Sequence, residues 1–231
     1  MKLSIIADIH SNLEAFTEVI NDSIKNNVDG YFFLGDIIDY GPNPNEVVSI
    51  MKTLKLYGIV MGNHEEILFD NSQIERLSSE RGKQAFLWTK NNLTIESIDF
   101  LYYLKKNEKY KYNDIGVMAY HASPIDTYWH KVSSEYLSNN IDTLFGDSNL
   151  SVMFLAHSHE QIDISSDIHK IVNPGSVGQP RDGKMASYAI YDTFDKKVIF
   201  RRVKYNFKIT ADKIRTTSIH PYYAKRLGSG I

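Results

Sequence analysis

The chain has 231 residues, 42% apolar and 12% aromatic, enough to bury one substantial core, and it reads as a single elaborated domain over residues 1–231. Lys and Arg total 26 against 28 Asp and Glu, so the formal charge of −2 gives no overall footprint for nucleic acid, although a local basic pocket is compatible with it. The absence of cysteine excludes disulfides, thiolate metal sites and a cysteine nucleophile. The first apolar run, Leu3 to Ala7, is cut by Asp8 and is too short for a signal core, and no later stretch approaches a membrane span. A cytoplasmic protein with no membrane partner is expected.

Lys2 to Ala7 predicts a strand buried on both faces. Asn12 then caps a predicted helix reaching about Asn26, with Leu13, Phe16, Val19, Ile20 and Ile24 on one stripe. Tyr31 to Leu34 predicts a second strand, Pro42 and Pro44 introduce a second helix, and a third strand lies near Gly58 to Met61. This alternation predicts a sheet that starts parallel. Asn71 to Leu104 is polar with apolar residues at near-helical spacing, which predicts a helical insertion. Strand-like runs resume at Ile115 to Tyr120, Val152 to Ala156, Ile171 to Val172, Ser187 to Tyr191 and Val198 to Val203, with a polar insertion between Pro124 and Asn149. The tail over 209–231 contains a predicted short helical pair, Ile209 to Leu227, interrupted at Pro221.

Five motifs each end a strand-like run: Asp8-Ile9-His10, Gly35-Asp36-Ile37-Ile38-Asp39, Gly62-Asn63-His64-Glu65, His121, and His157-Ser158-His159. Singly, each has a plainer explanation, since Asp caps helices, Asn-His makes turns, and a lone His is usually a core or surface residue. Their shared position is what counts. An α/β fold gathers its ligands beyond the carboxyl ends of its strands, and these oxygen and nitrogen groups suit two adjacent divalent cations. Residues 8 and 10 lie two apart, so an extended backbone would turn both side chains toward one metal. Asp36 can bridge two cations through its carboxylate, with Gly35 letting the backbone turn beneath it. Asn63 offers a neutral oxygen, His64 is suited to protonate a leaving oxygen, and Asp39 is either the acceptor that fixes the tautomer of His64 or a solvated helix-start residue.

The ordered set resembles the calcineurin-like metallophosphoesterases, in particular the small prokaryotic branch related to phosphodiesterases and dinucleoside polyphosphate hydrolases. The likeness covers nearly the whole chain, including the run from Gly35 to Val47 and that from Asn173 to Gly183. It implies an α/β fold of two mixed β-sheets packed as a sandwich flanked by helices, with the site at the loop-bearing edge. It also implies a first metal held by Asp8, His10, Asp36 and His159, and a second held by Asp36, Asn63, His121 and His157. Manganese is the favoured ion, with iron, zinc, cobalt and nickel also suited to this ligand set. The implied activity is metal-dependent hydrolysis of a small phosphoester or nucleotide. Two ions roughly 3.5–4 Å apart share a hydroxide for in-line attack, and His64, oriented by Asp39, is the acid. A phosphodiester is the leading substrate class and a dinucleoside polyphosphate the alternative; a noncatalytic protein-binding scaffold on the same fold is the alternative of another kind. Tyr40 stands where the related protein phosphatases carry a phosphate-gripping arginine, which argues against protein phosphatase activity. Arg181 is a candidate for anion contact or a surface residue beside Asp182. Asn12 faces the phosphate or merely caps its helix. The abundant aromatic residues shape a base-stacking pocket, support a homodimer interface, or simply fill the core.

Overall fold

The computed structural model describes residues 1–112, 115–181 and 183–229. From the N-terminus, β1 (Lys2–Ile6), α1 (Leu13–Lys25), β2 (Gly30–Phe33), α2 (Pro44–Met51) and β3 (Leu56–Ile59) alternate, as the sequence predicts, and α3 (Asn63–Phe69), which it does not predict, follows. A 3-10 segment (Asn71–Arg76), α4 (Glu80–Asn92) and α5 (Ile95–Tyr102) fill the predicted helical stretch. They are followed by β4 (Asn107–Tyr112), β5 (Ile115–Tyr120), α6 (Ser134–Asn139), α7 (Ile141–Phe145), β6 (Val152–Phe154), β7 (Gln161–Ser165) and β8 (Lys170–Pro174). The chain continues through β9 (Ala186–Asp192), β10 (Lys197–Val203), α8 (Phe207–Arg215) and α9 (Tyr222–Ser229).

The strands form two five-stranded mixed sheets, in the orders β10-β9-β1-β2-β3 and β4-β5-β6-β8-β7. β1, β2 and β3 run parallel, as do β5, β6 and β8; β9 pairs antiparallel with the central β1, and the remaining antiparallel pairings, β9–β10, β4–β5 and β7–β8, lie at sheet edges. The alternation along β1 shows how one apolar run serves two interfaces. Leu3, Ile5 and Ala7 enter the core between the sheets with Phe32, Phe154 and Tyr191, whereas Ile6 joins Phe16, Val19 and Phe33 beneath the helices. On the far side, Met118, Met153 and Ile171 pack against Leu137, Ile141 and Phe145 of α6 and α7. The layers are therefore helix, sheet, sheet, helix. None of the helices among the described residues is long and apolar enough to cross a membrane.

Two strands, β4 and β7, fall outside the predicted runs. Both are edge strands, and β4 (Asn-Glu-Lys-Tyr-Lys-Tyr) shows why it reads as polar. Tyr110 turns inward to meet Phe32 at 5.0 Å, while Lys109 and Lys111 alternate outward on an unpaired edge.

The last two helices fold back over the start of the chain. Ala211, Ile214, Tyr223, Ala224 and Leu227 pack with Ala85 of α4, and the Tyr223 ring stacks on Tyr40 at 4.6 Å. The C-terminal segment thus reaches the loop after β2, where the Gly35–Asp39 motif lies.

Candidate metal centre

The five motifs converge where the parallel strands of both sheets end. The loop after β1 is zipped onto the loop after β2 by three backbone hydrogen bonds: Asp8 N–H to Gly35 O at 3.1 Å, and His10 and Ser11 N–H to the Asp36 and Ile37 carbonyls at 2.9 Å each. One expectation about this geometry is corrected. Asp8 and His10 share a side because both adopt left-handed backbone, with φ of 51° and 49°, and not because the strand continues extended. His157 and His159 do the same at 63° and 61°, and Asp36 at 52°. Left-handed backbone costs a non-glycine residue roughly 1–3 kcal/mol, and here the interlocking loops impose it. Gly35, at φ 85°, also has to lack a side chain, because a Cβ there would strike the backbone of Gly62.

Asp8, His10, Asp36 and His159 form one group, and Asp36, His121 and His157 another; in each group one donor atom per residue lies within 4.8 Å of the rest. Asn63 completes the second group, its Oδ1 lying 3.0 Å from His121 Nε2 and 3.1 Å from His157 Nδ1. Asp36 belongs to both groups. Three imidazoles are aimed by their outer nitrogens: His10 donates Nδ1–H to Ile38 O, His121 to Leu34 O at 2.7 Å, and His159 to Gln179 O at 2.8 Å. At His10 and His159 this leaves Nε2 as a lone pair facing inward. At His121 burial works against the charged form, but the Asp36 carboxylate, 3.3 Å from Nε2, outweighs it and holds the imidazole up to about 9, with a proton that a metal would displace.

The inner faces fit cations. Both carboxylate oxygens of Asp8 are buried without a hydrogen-bond partner, and the Nε2 atoms of His10 and His159 face each other at 3.4 Å. Two imidazoles that have committed their N–H groups elsewhere have only lone pairs to present to each other, and an unpartnered buried carboxylate is costly unless positive charge sits beside it. Burial holds His10 and His159 well below the ordinary histidine range and pushes His157 down to about 3, keeping them neutral. Burial likewise drives the Asp8 carboxyl up to about 8, against the pull of His121. Neutral imidazoles and carboxylates of this kind are the donor set of a divalent metal.

His64 stands beside this cluster at the start of α3. Its Nδ1 lies 2.7 Å from Asp39 Oδ2, and its Nε2 lies 3.8 Å from Asp36 Oδ2. Burial works against the charged form, but the Asp36 and Asp39 carboxylates outweigh it and hold His64 up to about 9. Asp39 is fully buried and also accepts the Tyr40 N–H at 2.6 Å, so it is no solvated helix-start residue.

Glu65 is the residue whose importance the sequence conceals. Its carboxylate is fully buried and accepts four backbone N–H groups, those of Asp36, Ile37, Ile38 and Gly62, at 2.8–3.1 Å. One side chain thereby braces the loops after β2 and β3, which carry Asp36, Asp39, Asn63 and His64. Glu65→Ala leaves those donors buried and unpaired, and is expected to lower folding stability by at least about 4 kcal/mol, at roughly 1–3 kcal/mol for each orphaned group. Thermal denaturation beside Glu66→Ala measures this; equal melting temperatures would remove the brace.

A cavity of about 290 Å³ opens above the cluster, with His10, Asp36, Asn63, His64, His157 and His159 on its floor. Asp8 and His121 lie beneath and are fully buried. Arg181 is on the wall, while Asp182 lies outside the described residues. Asn12 does not line the cavity, which corrects its candidacy as a substrate contact. It is buried, its Oδ1 accepts from Ala15 N–H and Thr210 Oγ1, and its amide donates to Gly178 O and Tyr205 Oη. Those bonds cap α1 and tie it to α8. The wall also contains Tyr222, Tyr223 and Arg226 from α9, and Arg76 and Arg81 from the helical insertion, none of which carries a local sequence signal.

This sandwich is shared with metallophosphoesterases of known structure. The chain belongs to the calcineurin-like phosphoesterase family, whose sequence profile matches residues 1–161. It is 34% identical over 245 residues to the uncharacterized protein MJ0912 of Methanocaldococcus jannaschii, with 99% of this chain and 98% of that protein covered. A metallophosphoesterase from Sphaerobacter thermophilus matches with a TM-score of 0.80 at 30% identity, over 100% of both chains. The hypothetical protein PH1004 from Pyrococcus horikoshii OT3 shares the fold with a TM-score of 0.86 at 20% identity, over 98% of this chain and 97% of that one. The profile match contains every residue of the two ligand groups and stops before Arg181 and α9.

Proposed function

We propose that the protein is a metal-dependent phosphoester hydrolase that holds two divalent ions, manganese foremost, and acts on phosphodiesters. The observation that carries this reading is the buried Asp8 carboxylate without a partner, beside two imidazoles set lone pair to lone pair. Asp8, His10, Asp36 and His159 hold one ion, and Asp36, Asn63, His121 and His157 the other. When bound, the ions supply an acidified water and positive charge for the phosphoryl oxygens.

The chain's own groups do the rest. Asp39 accepts the Nδ1 proton of His64 and so turns Nε2 toward the cavity floor, where a proton on that atom meets the departing oxygen. An alkoxide needs such a proton to leave, whereas a phosphate leaving group departs as a stable anion. An oriented His64 therefore favours ester cleavage over anhydride cleavage. A protein-binding scaffold has no use for two groups of buried carboxylate, amide and imidazole ligands, which puts that reading last.

Metal-stripped protein re-supplied with Mn²⁺ is expected to hydrolyse bis(p-nitrophenyl) phosphate faster than p-nitrophenyl phosphate or a diadenosine polyphosphate. Absence of Mn²⁺-dependent turnover on all three sinks the proposal; preference for the polyphosphate moves the activity to anhydrides.

A further inference from the structure

The basic residues of this protein are distributed unevenly. Four of its seven arginines, Arg76, Arg81, Arg181 and Arg226, line the cavity, and none of its 19 lysines does. Among the described residues of the lining, Asp36, a candidate metal ligand, is the only acidic one. A chain with a net charge of −2 thus concentrates guanidinium groups above the cluster, and guanidinium is the cation whose planar fork matches phosphate oxygens.

Two of the four are already engaged. Arg76 pairs with Asp126 at 3.5 Å and lies over Trp129 at 4.5 Å, and Arg81 lies over the Tyr222 ring at 4.1 Å. Arg181 and Arg226 have no ion pair or side-chain hydrogen bond among the described residues, and Arg226 Nε is buried without a partner. Burial, and then the charge of Arg181, hold Arg226 below the usual guanidinium range. Arg181 is exposed at the mouth of the cavity and Arg226 is half-buried beside it, so two like charges stand together without a carboxylate partner among the described residues, an arrangement that attracts an anion.

Their placement gives that anion a direction. Arg181 lies close enough to the metal-ligand cluster for its charge to act on Asp8, His157 and His159, while Arg226 acts on Tyr40. The Tyr40–Tyr223 stack fixes α9, and with it Arg226, against the rim. A phosphoryl group on the floor therefore leaves the arginine pair free for another group of the same molecule.

We propose that Arg181 and Arg226 form an anion subsite that receives a second phosphate of the substrate, so that the preferred substrate is a phosphodiester bearing a separate phosphate group. The inference rests on the hydrolase reading for the scissile phosphate. It assigns substrate selection to residues outside the stretch that matches the family, and it assigns a chemical role to α9.

Two measurements test it. The first compares thymidine 5′-(p-nitrophenyl phosphate) with its 3′-phosphorylated form, in the Mn²⁺-loaded wild type and in Arg226→Gln and Arg226→Lys. The wild type is expected to prefer the 3′-phosphorylated ester, and Arg226→Gln to lose that preference by about tenfold or more, mainly through KM, as for one charged hydrogen bond. Arg226→Lys, which keeps the charge without the fork, falls between. The second is calorimetric binding of pyrophosphate to the metal-stripped full chain, expected to weaken by about tenfold in Arg226→Gln. Equal preference in wild type and Arg226→Gln, or pyrophosphate affinity unaffected by the substitution, overturns the subsite. If neither ester is cleaved by any variant, the hydrolase reading fails and the calorimetry alone decides whether the arginine pair binds phosphate.

Discussion

Asp36→Asn is expected to lose bound metal and turnover together. Asp36 is the residue common to the two ligand groups, its Oδ2 lying 3.3 Å from His121 Nε2 and 3.8 Å from His10 Nε2. Asparagine suits the test because it tolerates the left-handed backbone, φ 52°, that this position requires. Its Oδ1 can also keep the 3.1 Å hydrogen bond from the His64 backbone N–H, so the start of α3 is retained while the charge is removed. Metal analysis should show fewer than two ions per chain. Hydrolysis of bis(p-nitrophenyl) phosphate should fall by at least about 10³-fold, as expected when several kcal/mol of charge stabilisation are lost. Two retained ions would remove the bridging assignment.

His64→Asn separates proton delivery from metal binding. Both ligand groups are complete without His64, so metal content should be unchanged. Turnover should fall about 10²–10⁴-fold, the usual contribution of a general acid. The loss should depend on the leaving group, being small for p-nitrophenolate, which departs unprotonated, and large for an alkyl ester. Asp39→Asn should move turnover in the same direction, because an amide at 2.7 Å from Nδ1 no longer selects the tautomer that His64 needs. An equal loss for both leaving groups would assign His64 to orientation of the ester instead of its protonation.

The candidate ligands were legible in the sequence because strand ends are legible. Apolar runs stop abruptly, and the residues at the stop are carboxylate, amide and imidazole. Their local geometry was not. A two-residue spacing predicts a shared side only for extended chain, and the left-handed turns at Asp8, His10, His157 and His159 depend on backbone partners in other loops. Glu65 reads as an ordinary acidic residue near a helix start, since nothing local reveals that four N–H groups from two loops close around it. The paired guanidinium groups were half visible. Arg181 follows a glycine-containing turn, but Arg226 reaches the cavity only because α9 folds back onto Tyr40, a contact of the tertiary structure alone.

The brace made by Glu65 also bears on which ion a cell would supply. A site assembled by its metal loses chain entropy at the moment of uptake and can shape itself around one ionic radius. Here the loops after β2 and β3 are pinned by a carboxylate that takes no part in ligation, so the ordering cost falls on folding and not on loading. Ions of similar size then meet the same polygon of nitrogen and oxygen atoms. Occupancy should follow the abundance of each ion around the protein weighted by its intrinsic affinity, which makes the resident metal a property of the surroundings as much as of the protein.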